Sequence, residues 1–309
     1  MRAASQKSSH QLPRAGHARK IAVIGSINRD EVWDAHGNRR RGWGGILYNI
    51  AALARHAPER TTILPIAHMG SDARVPVGRW LRSLPQVDIS SLLPLAKPGN
   101  LCQMRYINPD QRHERLLNRV PAIPREAIRH ALSADVALVN FISGADVTTG
   151  TLEFFRREFR GWIYLDIHSY LLGRRKDSSR FARRPSGWRR VVSCADVLQM
   201  NQVEFTTLSG EYADSRSVLE WVDNALTPLA GQCVLVTLGA AGAFCMTRTR
   251  SRWRLRHFRS GKRPAGADPT GCGDTFCGLW LSAWLKGLDY VKCTEIATLA
   301  AAHPIRPGV

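Results

Sequence analysis

The sequence predicts an α/β fold: a doubly wound, mostly parallel sheet flanked by helices, with a small β-sheet lid. Three observations carry this. Short β-branched or apolar runs alternate with helical patterns from residue 20 to the end. Two stretches, 30–41 and 101–118, break that rhythm with hairpin-like patterns around Ala35-His36-Gly37-Asn38 and Asn108-Pro109-Asp110. Near the end, a glycine-rich segment opens an amphipathic helix.

Taken in order, the expected strands are 21–27, 61–67, 136–141, 162–167, 197–200 and 233–238. The expected helices between them are 46–56, 125–132, 149–159, 202–209 and 217–229, with a further apolar helix over 294–302. The two hairpins, about 30–43 and 100–118, are expected to pair as a lid beside a main domain spanning 20–309. Residues 1–19 are basic, serine-rich and free of acids, which predicts a disordered tail rather than a secretory signal.

The chain has 309 residues, enough for one large α/β domain with an appendage. Hydrophobic residues make up 44% and charged residues 22%, and no apolar run reaches the length of a membrane span. Seven scattered cysteines form no CxxC pair, which points to reduced thiols and a cytoplasmic location. The formal net charge of +19 is the abnormal bulk property. It is compatible with polyanions, acidic membranes or phosphorylated small molecules and does not choose among them. The excess lies in the tail, in 174–190 and in 248–263. In the last of these, Arg248, Arg250, Arg252, Arg254 and Arg256 would share one face of a single strand. A solvated edge strand protected by like charge accounts for that row; phosphate or nucleic-acid contact is the alternative.

The segment with the most chemistry is Gly266-Ala267-Asp268-Pro269-Thr270-Gly271-Cys272-Gly273-Asp274-Thr275-Phe276. Phe276, Leu279, Trp280, Ala283 and Trp284 recur at helical spacing, so the helix begins near Cys272 with one apolar stripe toward the core. Gly271 and Gly273 let the backbone turn tightly and leave N–H groups and a positive dipole end facing outward, a ready anion site. Asp274 falls in the first turn, where it either caps the helix or reaches whatever lies before it.

Asp268, Thr270, Gly271, Gly273 and Asp274 together resemble the D-T-x-G-A/C-G-D signature of the ribokinase-like (PfkB) family of carbohydrate and nucleoside kinases. Other segments resemble the same family in the same order. They are Asp30 after the first strand, Gly44-Gly45-Ile46-Leu47-Tyr48-Asn49 for G-G-x-x-x-N, Asn201-Gln202-Val203-Glu204 for N-x-x-E, and Thr237-Leu238-Gly239-Ala240-Ala241-Gly242 for T-x-G-x-x-G. The likeness spans about residues 20–303, and no Walker A sequence occurs.

The resemblance implies ATP-dependent phosphoryl transfer to a hydroxyl of a small sugar or sugar-like acceptor. It implies Asp274 as general base and the N–H groups of Gly271, Cys272 and Gly273 as the anion hole. Asp30, Gly44, Gly45, Asn49, Asp166 and His168 would hold the acceptor. Asn201, Thr237, Gly239, Gly242, Asp268 and Thr270 would hold the nucleotide, and Glu204 would hold Mg²⁺ through water. The lid would exclude water, and it is also a surface through which a homodimer could form. No membrane partner is expected; nucleic acid is disfavoured, though the charge leaves it open. Nucleoside kinase, a non-catalytic sugar or nucleotide sensor, and polyanion binding are the alternatives.

Two departures bear on the acceptor and the nucleotide. Where the family's sugar kinases often read D-x-N-x-R, this chain reads Asp166-Ile167-His168-Ser169-Tyr170. Tyr48 and His168 could stack on a ring, which would suit a nucleoside. Few residues follow the last apolar helix, where relatives carry one more helix near the adenine, so weaker nucleotide binding is expected.

Overall fold

The computed structural model describes residues 19–108, 111–226, 232–249, 252–261 and 270–309. Asp268, Arg250, the Pro109-Asp110 turn and the tail before Arg19 lie outside the described residues. Along the chain the strands are β1 (Arg19–Ile24), β2 (Ile27–Trp33), β3 (Arg39–Gly45), β4 (Thr61–Ile66), β5 (His68–Met69), β6 (Leu93–Pro94), β7 (Asn100–Asn108), β8 (Gln111–Leu117), β9 (Val136–Asn140), β10 (Trp162–Asp166), β11 (Leu172–Arg174), β12 (Arg180–Ala182), β13 (Val197–Asn201), β14 (Cys233–Thr237), β15 (Ala243–Thr249) and β16 (Arg252–Phe258). The α-helices are α1 (Ile46–His56), α2 (Pro76–Arg82), α3 (Arg125–Ile128), α4 (Thr149–Glu158), α5 (Trp188–Val192), α6 (Gln202–Ser209), α7 (Ser215–Leu226), α8 (Cys272–Leu285) and α9 (Tyr290–Ala300).

Among the described residues, eight strands form the main sheet in the order β16-β15-β14-β13-β10-β9-β1-β4. From β4 to β14 the neighbours are parallel, and β15 and β16 add an antiparallel edge. The central strands alternate between two cores. Ala22, Ile24, Ala137, Val139, Ile163 and Leu165 join one; Ile21, Val23, Val136, Leu138 and Tyr164 join the other. Helices cover both faces, so these strands are apolar at successive positions rather than at every second one.

α8 departs from the expected single apolar stripe. Every residue from Asp274 to Leu285 is buried, because the helix packs on the sheet and between α1 and α9. The crossing with α1 is close: a Cβ on Gly278 would clash with Ala52 Cβ and stand 3.0 Å from the backbone oxygen of Asn49. α9 begins earlier than expected, at Tyr290, because Asp289 caps it by accepting from Lys292 N at 2.8 Å. The expected helix 125–132 is α3 followed by a 3₁₀ turn over Arg129–Ser133. Residues 301–309 run back along α8, where Ile305 N donates to Thr275 Oγ1 at 3.1 Å.

The arginine row is corrected. Arg248 lies on β15 and Arg252, Arg254 and Arg256 on β16, with Arg248 opposite Trp253 and Arg254 opposite Thr247. The chain reverses between Thr249 and Arg252, so Arg248 falls on the other face of the hairpin from the three that follow. Those three are exposed on the outermost strand of the sheet.

The lid is a four-stranded sheet, β3-β2-β7-β8, in which the two hairpins join through a parallel β2–β7 pair. β2 follows β1 after only Gly25 and Ser26. A second link is the β11–β12 hairpin of the body: Leu116 N donates to Ser178 O at 3.0 Å, and Arg174 Nε donates to Leu116 O at 2.8 Å. Among the described residues no helix is long and apolar enough to cross a membrane.

Candidate active site

Register decides which lid side chains share a face. Asp30 stands opposite Gly42 and Cys102, Val32 opposite Arg40 and Met104, Met104 opposite Glu114, and Tyr106 opposite Arg112. Directly paired residues point the same way, so Asp30, Arg40, Tyr106, Arg112 and Glu114 share one face. That face meets the C-terminal ends of the parallel strands, where open α/β sheets present their crevice. The opposite face carries Glu31, which Arg39 and Gln103 bind at 2.7 and 3.0 Å, and Trp33 under the guanidiniums of Arg39 and Arg105.

Asp30 is buried, and its carboxylate occupies the space that a Cβ on Gly44 would need. Burial pushes its pKa up to about 8, with the carboxylates of Asp274 and Glu114 adding to the effect. Gly45 ends β3 with φ 68°, and a Cβ there would collide with Ser26 O. α1 begins at the next residue, and its first turn carries Tyr48 and Asn49 inward.

Asn49 connects the Gly44-Gly45 segment to the first turn of α8. Its Nδ2 donates to Asp274 O at 2.8 Å, and its Oδ1 accepts from Asn140 Nδ2 at 3.1 Å. Asn140 Nδ2 also donates to Asp274 Oδ1 at 2.8 Å, while Asn140 Oδ1, fully buried, has no hydrogen-bond partner. Reading the sequence for motifs passed over Asn140. Its signal was a single amide closing the otherwise apolar run Val136-Ala137-Leu138-Val139.

Gly271 adopts φ 83°, a conformation that favours glycine, and the Tyr48 ring fills the space a Cβ there would occupy. Tyr48 therefore packs against the loop, and its ring is not free to stack on a substrate. Cys272 and Gly273 open α8, and a Cβ on Gly273 would meet nothing within 4 Å. Thr270 is buried and shares a 3.3 Å hydrogen bond with Tyr106 of the lid, whose hydroxyl Arg112 Nη1 reaches at 3.2 Å. Asp274 is buried in the first turn. Burial raises its carboxyl above the usual range, opposed by the charge of His168 and the bond from Asn140.

Asp166 ends β10 with both oxygens committed inside the protein. Oδ1 accepts from His168 N at 3.2 Å, and Oδ2 accepts from Gln199 Nε2 at 2.9 Å and lies 3.2 Å from Cys277 Sγ. Burial pushes its pKa to about 6. His168 follows with φ 31°, and its Nδ1 stands 3.8 Å from Glu204 Oε1. Burial disfavours its charge, but Asp274, Asp166, Glu204 and Glu114 outweigh that and hold its pKa up.

Asn201 and Glu204 form a capping box at the start of α6. Glu204 accepts from Asn201 N at 2.7 Å and from Asn201 Nδ2 at 2.6 Å, so both of its oxygens are occupied, and burial pushes its pKa to about 8. Thr237 ends β14 beside Asn201. Gly239 follows with φ 58° and open space around it, while Gly242, at φ 102°, lies where any Cβ would strike Phe258 O. Gly239 is thus open to a ligand and Gly242 shapes the entry to β15. No group of three or more potential metal ligands occurs among the described residues.

One rim of this crevice therefore carries Asp30, Asn49, Asn140 and Asp274, and the other carries Asn201, Glu204, Thr237 and Gly239. Asp274 itself lies in the first turn of α8, whose unpaired N–H groups and positive dipole end suit an anionic group. Comparisons with known proteins agree with this architecture. Residues 178–306 match the model of the pfkB family carbohydrate kinase. The chain is similar to a pyrophosphate-dependent kinase of the ribokinase family solved with sulfate: TM-score 0.74, 18% identity, 93% of this chain and 96% of that one. It is also similar to the ribokinase of Arabidopsis thaliana complexed with ribose and ATP: TM-score 0.71, 16% identity, 94% and 93%. A curated relative, the bifunctional protein HldE of Hydrogenovibrio crunogenus, is 22% identical over 93% of this chain, which spans 59% of that protein's length. The fold is that of the ribokinases. The match to the pfkB family model lies in residues 178–306.

Proposed function

We propose that the protein transfers the terminal phosphoryl group of ATP to a hydroxyl of a small sugar or sugar-like acceptor, with Asp274 as general base. The observation that carries this is the placement of Asp274. It is a buried carboxylate with raised pKa in the first turn of α8, tied to both Asn49 and Asn140, beside the open edge of Gly273. Raised basicity suits a group that must take a proton from an alcohol near neutral pH. The N–H groups at Gly271, Cys272 and Gly273 would stabilise the charge on the transferred group, while Asp30 and Asn49 hold the acceptor in line.

Asn201, Thr237, Gly239, Asp268 and Thr270 would hold the donor. Mg²⁺ would offset charge on the donor phosphates; Glu204, with both oxygens on Asn201, fits it through water. The packing of Tyr48 on Gly271 favours a sugar-like acceptor over a nucleoside.

The test is turnover of purified protein with ATP, and with pyrophosphate in parallel, against ribose, fructose, myo-inositol and nucleosides. ATP-dependent phosphorylation of a sugar-like acceptor, lost in Asp274→Asn, is the expected result. Turnover only with nucleosides or only with pyrophosphate would revise the acceptor or the donor, and no turnover with any pair would leave a non-catalytic binder.

A further inference from the structure

Arg180 opens β12, and its side chain is only 3% exposed. Nη2 donates to Ser169 O at 3.3 Å, but Nε and Nη1 have no hydrogen-bond partner. A guanidinium carries five N–H donors, and leaving them unmatched in the interior is costly. Glu114 Oε1 of the lid lies 3.7 Å from Nη1, close enough for attraction and too far for a hydrogen bond. Two other pairs with partly buried carboxylates close to hydrogen-bond distance, Arg190 to Glu153 at 2.6 Å and Arg156 to Asp196 at 2.7 Å. The Arg180–Glu114 pair stands apart although both partners are largely buried and the hairpin frame around them is hydrogen-bonded to β8.

Glu114 stands near enough to Asp30 and His168 for its charge to act on both. Glu114 shares the inner lid face with Asp30, and Arg180 Nη2 lies against Gly144 in the loop after β9, 3.1 Å from where a Cβ there would stand. We propose that Glu114 and Arg180 form a recognition pair for a polyhydroxylated acceptor, reading a hydroxyl other than the one that is phosphorylated. This rests on the acceptor side assigned under the proposed function. Glu114 Oε2 already accepts from Arg112 Nη2 at 3.3 Å, so a hydroxyl that accepts from Arg180 Nη1 and donates to Glu114 Oε1 would satisfy the remaining donor and oxygen at once. A phosphate or carboxylate has no proton for Glu114 and would face its charge. The pair joins lid to body, so occupation of the gap also ties the lid down.

The test reads binding without a donor, so that it stands apart from phosphoryl transfer. Ribose, fructose and myo-inositol are titrated against wild-type protein, Glu114→Gln and Arg180→Lys, followed by the monodeoxy derivatives of the tightest binder. Each variant should weaken that polyol by about tenfold or more in Kd. One monodeoxy derivative should lose a similar factor against wild type, and that discrimination should vanish in the variants. The inference is overturned by folded variants with wild-type Kd, by a monodeoxy series that binds wild type uniformly, or by no binding of any of the three polyols. Tighter binding of a monophosphate ester that needs Arg180 but not Glu114 also overturns it, as an anion site. Should a variant fail to fold, the monodeoxy series on wild type decides alone. Intact, variant-sensitive binding with no phosphoryl transfer would refute the kinase reading and leave the pair standing.

Discussion

Gly44 lies directly beneath the carboxylate of Asp30: any Cβ at position 44 would overlap Oδ2, with the Tyr48 ring closing the other side at 3.0 Å. The space for a methyl group is already occupied by the side chain assigned to the acceptor. Gly44→Ala must displace Asp30, so acceptor kcat/KM should fall by about 10²-fold, with a stability loss of about 1–3 kcal/mol from overpacking. Near-normal acceptor kinetics in a folded Gly44→Ala protein would remove Asp30 from the acceptor site.

Asp30 also makes the protein's stability depend on pH. Its folded pKa of about 8 exceeds the ordinary value of 3.8, so the folded state holds the proton more tightly than the unfolded chain. That contribution is complete below about pH 4 and is lost as pH rises toward about 8. Asp30→Asn should therefore melt above wild type at about pH 8.5, by on the order of 1–2 kcal/mol or about 2–8 °C, with the gap shrinking near pH 5. Melting curves at the two pH values check it, and a gap that widens toward acid would contradict the buried-carboxyl account.

Asp274→Asn keeps the size of the side chain and a polar partner for Asn140. Fold and donor binding should survive, and turnover should fall by about 10²–10⁴-fold. If Asp274 only caps α8, the same variant would instead lose about 1 kcal/mol of stability with kcat nearly unchanged. Thermal melting and steady-state kinetics on one preparation separate the two.

Gly273 offers the opposite case to Gly44. Alanine meets no protein atom there and favours the helical state, so Gly273→Ala should stabilise the fold by up to about 1 kcal/mol. If the open space receives the donor's phosphate, the donor KM should rise by about tenfold or more while the acceptor KM holds. An unchanged donor KM would place the phosphate elsewhere.

The parts of this fold legible in the sequence were those set by local pattern. The apolar runs marked the parallel strands, α1 and α6 fell at the expected bounds, and the Gly44-Gly45, Asn49 and Gly271–Asp274 motifs meet in one crevice. What stayed hidden depends on contacts distant in sequence or on parity across a turn. Glu114 and Arg180 meet because β8 pairs into the lid and β11–β12 docks on it, and 174–190 had read only as basic charge. The arginine row lost Arg248 because a chain reversal resets which face a residue occupies. The all-round burial of α8 follows from α9 and α1 closing on it, which no single helix's periodicity discloses.

Two glycines five residues apart on α8 divide its surface into unlike territories. Position 273 faces empty space, whereas position 278 presses on Ala52 and the backbone of Asn49, whose amide holds Asp274. Gly278 therefore works as a spacer: it carries no reactive atom, yet it sets how near Asn49 stands to Asp274. A random screen for lost turnover should strike it as hard as the reactive residues, and a search confined to reactive side chains would pass it by.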